Sequence, residues 1–291
     1  MVFKMDISEI RELYPFKSNF FKIKGFNYHY LDEGRGEPLV MVHGNPSWSF
    51  LFRRLIPELS RTNRVIVPDH LGCGLSDKPQ NFQYRLETHI DNLEEFLLSM
   101  NLDNINLLVH DWGGPIGLGF AVRYPEKIKR IIITNTAAFT STTIPFRISV
   151  CRTPWLGEKL VRNMNLFCRA ALRMTTVKKM PPDVKKGFIL PYDSYENRIA
   201  VYNFVKDIPM VPEAPSYEVL VGIEHGLWMF REHPVAIAWG MKDWCFNESF
   251  LKKWKSVFPQ ASVLPLYEAG HYLYEDEPQK ITEFAKSFLA K

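Results

Sequence analysis

Cysteine is scarce in this 291-residue chain, and the four present, Cys73, Cys151, Cys168 and Cys245, form no CxxC pair and no short regular framework. That excludes a disulfide scaffold and fits structural thiols in a reducing, cytoplasmic setting. None of the eight histidines stands in an HExxH or HxxEH spacing, so no metal and no other cofactor is expected. No run of about 18 apolar residues occurs, which removes a spanning helix. The opening stretch MVFKMDISEIRELYPF carries charges throughout and lacks the apolar centre of a secretory signal. Low-complexity tracts, internal repeats and long polar linkers are also missing, so nothing separates independent domains. Strong charge of one sign is absent too: the formal net charge is +4, which gives no footprint for nucleic acid. The charge is uneven, however. Between Arg147 and Lys186 ten Lys and Arg stand against Glu158 and Asp183. Such a segment is either a set of solvated helix faces or a surface for an anionic substrate, an acidic partner or a membrane.

What is present is a β/α rhythm. From residue 20 to 136, short β-rich runs (FFKIKG, FNYHYLDEG, LVMVHG, RVIVPD, INLLVHD and RIIITNT) alternate with turns and helical patterns. Between them, LETHIDNLEEFLLSM spaces Leu86, Ile90, Leu93, Phe96, Leu97 and Met100 as one buried helical stripe. Two further runs, VAIAWGMKD and SVLPLYEAGH, follow after residue 234 and bring the expected sheet to eight strands. The intervening 139–215 reads as helical, broken by prolines, and we take it as a cap inserted into a core made of 1–138 and 216–291. The fold class expected is α/β, a mostly parallel eight-stranded sheet with a helical cap. Ile144, Phe146, Ile148, Leu166, Phe167, Leu172 and Met174 would supply apolar surface to that cap, and an inserted helical layer should bury most of them in its own core.

Three titratable side chains fall just past the ends of predicted strands, where open α/β sheets gather their ligand sites. Asp111 lies in VHDWGG, at the strand-to-helix elbow where α/β-hydrolases carry a nucleophile, and Gly113 and Gly114 suit the close packing such a turn needs. Asp243 ends WGMKD, and His271 follows EAG. Taken alone, Asp111 could be a turn former, Asp243 a helix cap and His271 a surface histidine; together they stand in the order nucleophile, acid, histidine. Upstream, HGNPSW places Asn45 after the third strand, where its backbone N–H and that of Trp112 would face an anion, with the Asn45 amide and the Trp112 indole N–H as further donors. His43, Gly44, Asp69, Gly72 and Gly74 read as structural.

The combination of HGNPSW, DHLGCGLSDKP, VHDWGG, WGMKD and EAGHY resembles the haloalkane dehalogenase family of α/β-hydrolases over essentially the whole chain. Some members place a glutamate after the sixth strand, but Asn135 stands there in TNTAAF. The resemblance therefore implies Asp111 as nucleophile, His271 as histidine, Asp243 as acid and an Asn45–Trp112 donor pair, the pattern of the third subfamily. Within it, HGNPSWSF, NTAAF and LPYDSYENRIAVYNFVKDIP are most similar to the β-lactone decarboxylases of long-chain olefin biosynthesis.

An aspartate nucleophile suits a saturated carbon bearing a leaving group, because displacement there gives an alkyl ester on the enzyme. The resemblance thus implies a decarboxylase that turns a cis-3-alkyl-4-alkyloxetan-2-one into a cis-olefin. The alternative is a haloalkane dehalogenase, in which Asn45 and Trp112 hold the halide and His271 activates water. An epoxide hydrolase with Tyr192, Tyr195 or Tyr202 as donors, or a binding protein that works only in a complex, remain lesser alternatives. Either main reading expects an apolar small-molecule substrate. The decarboxylase reading adds assembly with β-lactone-forming enzymes, and Lys178, Lys179, Lys185 and Lys186 are candidates for a partner or peripheral membrane contact.

Overall fold

The computed structural model describes residues 6–291, so the first five residues of the opening stretch lie outside it. The eight expected strands form one sheet: β1 (Asn19–Ile23), β2 (Phe26–Glu33), β3 (Glu37–Val42), β4 (Asn63–Pro68), β5 (Ile105–His110), β6 (Ile128–Thr134), β7 (Val235–Gly240) and β8 (Ser262–Leu266). Their order is β1-β2-β4-β3-β5-β6-β7-β8. The first hairpin and the β2–β4 pair are antiparallel, and from β4 to β8 every neighbouring pair is parallel. β5 and β7 are buried along their whole length. A parallel strand covered on both faces has no polar side to alternate, which is why INLLVH and VAIAWG read as near-continuous apolar runs.

Helices cover both faces. On one, helix Leu86–Ser99 buries the expected stripe against helix Gly113–Arg123, while Met100 packs at its edge. On the other, Trp48, Phe52 and Leu55 pack with Ile281 and Phe288 of the closing helix Pro278–Leu289. Register aligns the strand ends that matter: Val42 pairs with Val109, His110 with Thr134 and Thr134 with Ala238. The segments leaving β3, β5, β6 and β7 therefore meet along one carboxyl edge, the place where parallel sheets bind ligands.

Among the described residues no strand lies between Thr134 and Val235. That stretch folds into helices Phe146–Arg152, Leu166–Met174, Pro182–Ile189, Ile199–Lys206 and Tyr217–Gly226. Pro182 starts a helix rather than breaking one, since a first-turn proline loses no hydrogen bond. Val161, Cys168, Tyr192, Val201 and Tyr202 form a small core of this region's own. Among the described residues no helix is long and apolar enough to cross a membrane.

Candidate active site

The turn after β5 puts Asp111 at φ +52°, a left-handed backbone that an ordinary side chain adopts only under constraint. Three backbone-directed bonds hold it there. The Asp111 N–H donates to the Asn135 carbonyl at 3.1 Å, and the Asp111 carbonyl accepts from Gly114 N–H at 2.9 Å and from the Thr136 hydroxyl. The glycines of the elbow are steric necessities: a Cβ on Gly113 would overlap the Val42 carbonyl, and one on Gly114 the Thr136 hydroxyl. Gly44 approaches even more critically, because a Cβ there would overlap the Asp111 carboxylate and crowd the Trp112 backbone nitrogen. It is structural in the strongest sense, since the loop after β3 can reach the carboxylate only without a side chain.

That approach brings the Asn45 backbone N–H to Oδ1 of Asp111 at 2.6 Å. The other oxygen, Oδ2, lies 3.7 Å from Nε2 of His271. On the far side of the imidazole, Nδ1 of His271 bonds Oδ2 of Asp243 at 2.8 Å. The structure therefore brings Asp111, His271 and Asp243 together in a line, with Asn45 and Trp112 beside the first. Asn45 plays two parts. Its amide Nδ2 donates to the Val201 carbonyl of helix Ile199–Lys206 at 3.2 Å, which engages one of its two amide hydrogens with the cap, while Oδ1 is buried without a partner. Trp112 packs its ring on Phe204 at 5.2 Å between centroids, and His271 is stacked by Phe246 at 5.7 Å.

Two supports went unread in the sequence. Asn135, noted only for not being an acid, donates through Nδ2 to Oδ2 of Asp243 at 2.9 Å and to the Gly240 carbonyl at 3.1 Å, and its Oδ1 accepts from Gly240 N–H at 2.7 Å. The residue after β6 thus fixes the acid after β7. Cys245 N–H donates to the other Asp243 oxygen at 2.7 Å. The second support is Asp276, which accepts from the N–H groups of Val177, Lys178 and Gly270 at 2.8 to 3.0 Å and so ties the cap to the loop carrying His271. The spacing from strand ends could have signalled Asn135; nothing local signals Asp276. The structural reading of Asp69 is likewise physical: it accepts from Ser49 N–H at 2.7 Å and Leu75 N–H at 2.9 Å, pairs with His29 at 2.8 Å, and does not line the cavity.

Burial dominates the electrostatics. It lifts the Asp111 carboxyl above its ordinary range, against the opposing pull of His271 and the backbone N–H groups of Asn45 and Trp112. Burial alone would depress His271, but the carboxylates of Asp243 and Asp111 outweigh it and hold the imidazole above its usual value. Burial pushes the Cys245 thiol well up, so it stays protonated and a poor nucleophile beside the two carboxylates.

Above these groups lies a cavity of about 400 Å³ whose floor is Asn45, Asp111, Trp112 and His271. Its wall includes Phe139, Val205, Ile208, Leu220, Phe246 and Phe250, whose place on a cavity no periodicity signals. Of the seven apolar cap residues, Ile144, Phe146, Ile148, Leu166, Phe167 and Met174 line the cavity, and Leu172 packs against the sheet-side core instead. The expectation that most would be cap core is therefore corrected: the cap keeps its own core to a few residues and turns its apolar faces to the cavity. Among the described residues no three His, Cys, Asp or Glu side chains cluster so as to hold a metal ion.

Residues 37–278 match the family model described as the alpha/beta hydrolase fold. The chain belongs to the α/β-hydrolase family. Within it, the chain is 43% identical over 287 residues to the cis-3-alkyl-4-alkyloxetan-2-one decarboxylase of Shewanella oneidensis, covering 96% of this chain and 90% of that protein. A protein of the same name from Xanthomonas campestris pv. campestris is 39% identical over 92% of this chain and 93% of its own length. Haloalkane dehalogenase 2 of Mycobacterium bovis is more distant, at 29% identity over 95% of this chain and 96% of its own. Among solved structures, haloalkane dehalogenase DbeA from Bradyrhizobium elkani superposes with a TM-score of 0.88 at 21% identity, covering 94% of this chain and 97% of that one, and so shares the fold. The family resemblance drawn from HGNPSW, VHDWGG and EAGHY and the α/β-hydrolase fold with its eight-stranded sheet both hold.

Proposed function

We propose that this α/β-hydrolase is a cis-3-alkyl-4-alkyloxetan-2-one decarboxylase in which Asp111 is the nucleophile, His271 and Asp243 its partners, Asn45 and Trp112 the oxyanion donors, and 139–215 the cap. The observation that carries the reading is the elbow residue itself: a carboxylate at the floor of an apolar cavity, in a chain 43% identical to a protein bearing that name. The Asn45 N–H fixes Oδ1, which leaves Oδ2 to attack the ring carbon bearing oxygen. The carbon–oxygen bond of the ring breaks with inversion, an alkyl ester forms on Asp111, and the former lactone oxygen departs as part of a free carboxylate. Loss of carbon dioxide then supplies the electron pair of the new double bond and expels Asp111. Inversion followed by anti elimination gives the cis-olefin, and no water is consumed. His271, whose hold on its proton Asp243 and Asp111 strengthen, would stabilise the departing carboxylate. An oriented donor of this kind contributes roughly 3 kcal/mol.

The test is product analysis. A cis-β-lactone should yield carbon dioxide and cis-olefin in equal amounts, and a trans-olefin or a β-hydroxy acid would refute the route. The donor pair beside Asp111 favours dehalogenation as the second reading, and 1-bromobutane assayed in parallel separates the two: bromide release without olefin would assign the site to halide chemistry. The proposal extends to a reducing, cytoplasmic setting, supported by four free thiols. It also extends to assembly with a lactone-forming enzyme over the lysine face. There Lys178 and Lys186 are engaged with Glu277 and Glu9. Reversing the charges of Lys179 and Lys185 should weaken co-purification with such an enzyme, and unchanged co-purification would sink that role.

A further inference from the structure

We propose that the cap docks on an anionic lipid bilayer through the surface around Trp155 and draws its substrate from the membrane through the adjacent cavity mouth. The inference rests on the proposed dialkyl β-lactone substrate, and it names where that substrate comes from. Phe146 lines the cavity and is yet 81% exposed, so it stands at the opening; Leu166 and Arg147 share that position. The turn Leu156–Glu158 packs on helix Phe146–Arg152 and runs into 159–163, which packs on helix Leu166–Met174, so these elements form one continuous face. On it Trp155 is 89% exposed, and Leu156 and Met164 are exposed as well.

Trp155 is not exposed by accident of a loose loop. Its backbone is at φ +63° and ψ −52°, the tip of a γ-turn closed by the Leu156 N–H on the Pro154 carbonyl at 2.7 Å. That conformation is rare and strained for a bulky residue, and here it aims the largest apolar side chain of the segment at solvent. An apolar wedge of this size in water needs a partner.

Charge chooses the partner. Between 141 and 174 there are six Lys and Arg against the single acid Glu158. Buried Arg162 pairs with Glu158 at 3.0 Å and stacks on Tyr195, so that acid is already neutralised. Arg147, Lys159, Arg169 and Arg173 are left exposed around the wedge. Tryptophan, phenylalanine and leucine ringed by basic residues match the interface of an anionic membrane. A substrate with two alkyl chains partitions into that same bilayer, so a mouth facing it spares the chains a passage through water.

The test compares the full chain with a variant carrying Trp155→Ser, Leu156→Ser, Lys159→Glu and Arg169→Glu, none of which is in the proposed chemistry. In sedimentation with phosphatidylglycerol–phosphatidylcholine vesicles, the wild type should bind and the variant should bind at least about tenfold more weakly, with pure phosphatidylcholine giving little binding to either. Activity on a short water-soluble substrate should stay within about twofold, which also shows that the variant folds. Equal vesicle binding by both proteins, or none by the wild type, overturns the proposal. So does concentration-dependent self-association that the variant abolishes, which would assign the face to a second copy. Vesicle binding by a protein that makes no olefin would leave this surface standing and remove only the substrate reading.

Discussion

The floor of the cavity and its wall are built on opposite principles. On the floor the three side chains of the proposed triad are each tied to backbone or to another fixed group: Asp111 through its carbonyl, its N–H and the Asn45 N–H, Asp243 through Asn135 and Cys245, His271 through Asp243. The cap wall offers Ile148, Leu160, Phe167 and Ala170, which fill space without directional bonds. Hydrogen bonds and close glycine contacts fix position to fractions of an ångström, while apolar contact fixes only volume. The difference assigns reaction type to the floor and substrate shape to the wall, and it predicts that substitutions in the two regions will fail in different ways.

The largest effect should come from Asp111→Asn. An amide cannot form the ester, so turnover should fall by at least about a thousandfold with little change in Tm. Residual olefin at a tenth of the wild-type rate would break the assignment. Next comes Gly44→Ala, a methyl group far from the substrate in chemistry but against the nucleophile in space. Displacing the 43–48 loop by the needed ångström should cost about a hundredfold in kcat. A variant that keeps its kcat would show that the floor is less rigid than the contacts require.

Asn135→Ala tests the acid through its support. Removing the donor leaves Asp243 a buried carboxylate with one fewer partner, worth roughly 1–3 kcal/mol, so kcat should fall about tenfold. A less satisfied Asp243 also attracts the His271 proton more strongly, so the pH limb governed by His271 should move upward, which a merely structural loss would not produce. The wild-type profile itself carries a sign. Decarboxylation as proposed needs Asp111 ionised and His271 protonated. Since burial lifts Asp111 and the two carboxylates lift His271, activity should be lost on acidification earlier than for an ordinary carboxylate and should persist above the usual imidazole range before declining. Ester hydrolysis after halide displacement needs neutral His271 and should rise over that same alkaline limb. One pair of profiles therefore separates the chemistries.

Most of the floor was legible in the sequence, because its residues stand at strand ends and strand ends are marked by period and punctuation. Asp111, Asp243 and His271 each follow an apolar run, and register alone brings those runs level. Asn135 follows such a run as well, yet its role is visible only when β6 and β7 are known to be neighbours. Asp276 is the opposite case: its partners Val177 and Lys178 lie about a hundred residues away and are held by backbone N–H groups, which carry no residue signature. The wall was misread for a related reason. Phe167 and Ile148 have the spacing of buried helical residues whether they face a neighbouring helix or a cavity, because periodicity reports the face and not what covers it.

The smallest effect, and the one that sharpens the contrast most, should come from Ala170→Leu in helix Leu166–Met174. Ala170 lines the cavity, and leucine adds three carbons there, about the volume of three methylenes of an alkyl chain. Each methylene kept out of the cavity forfeits roughly 0.8 kcal/mol of binding, so the preferred chain should shorten by about three carbons, with kcat/KM for the longest substrates falling and that for shorter ones holding. The maximal kcat should change less than about threefold, since nothing on the floor moves. A chain-length series of cis-β-lactones reads both quantities. If Ala170→Leu lowered kcat equally for every chain length, the wall would be shown to act on the floor, and the separation between a fixed reacting centre and an adaptable cap would fail at its weakest joint, the Asn45 amide held by Val201.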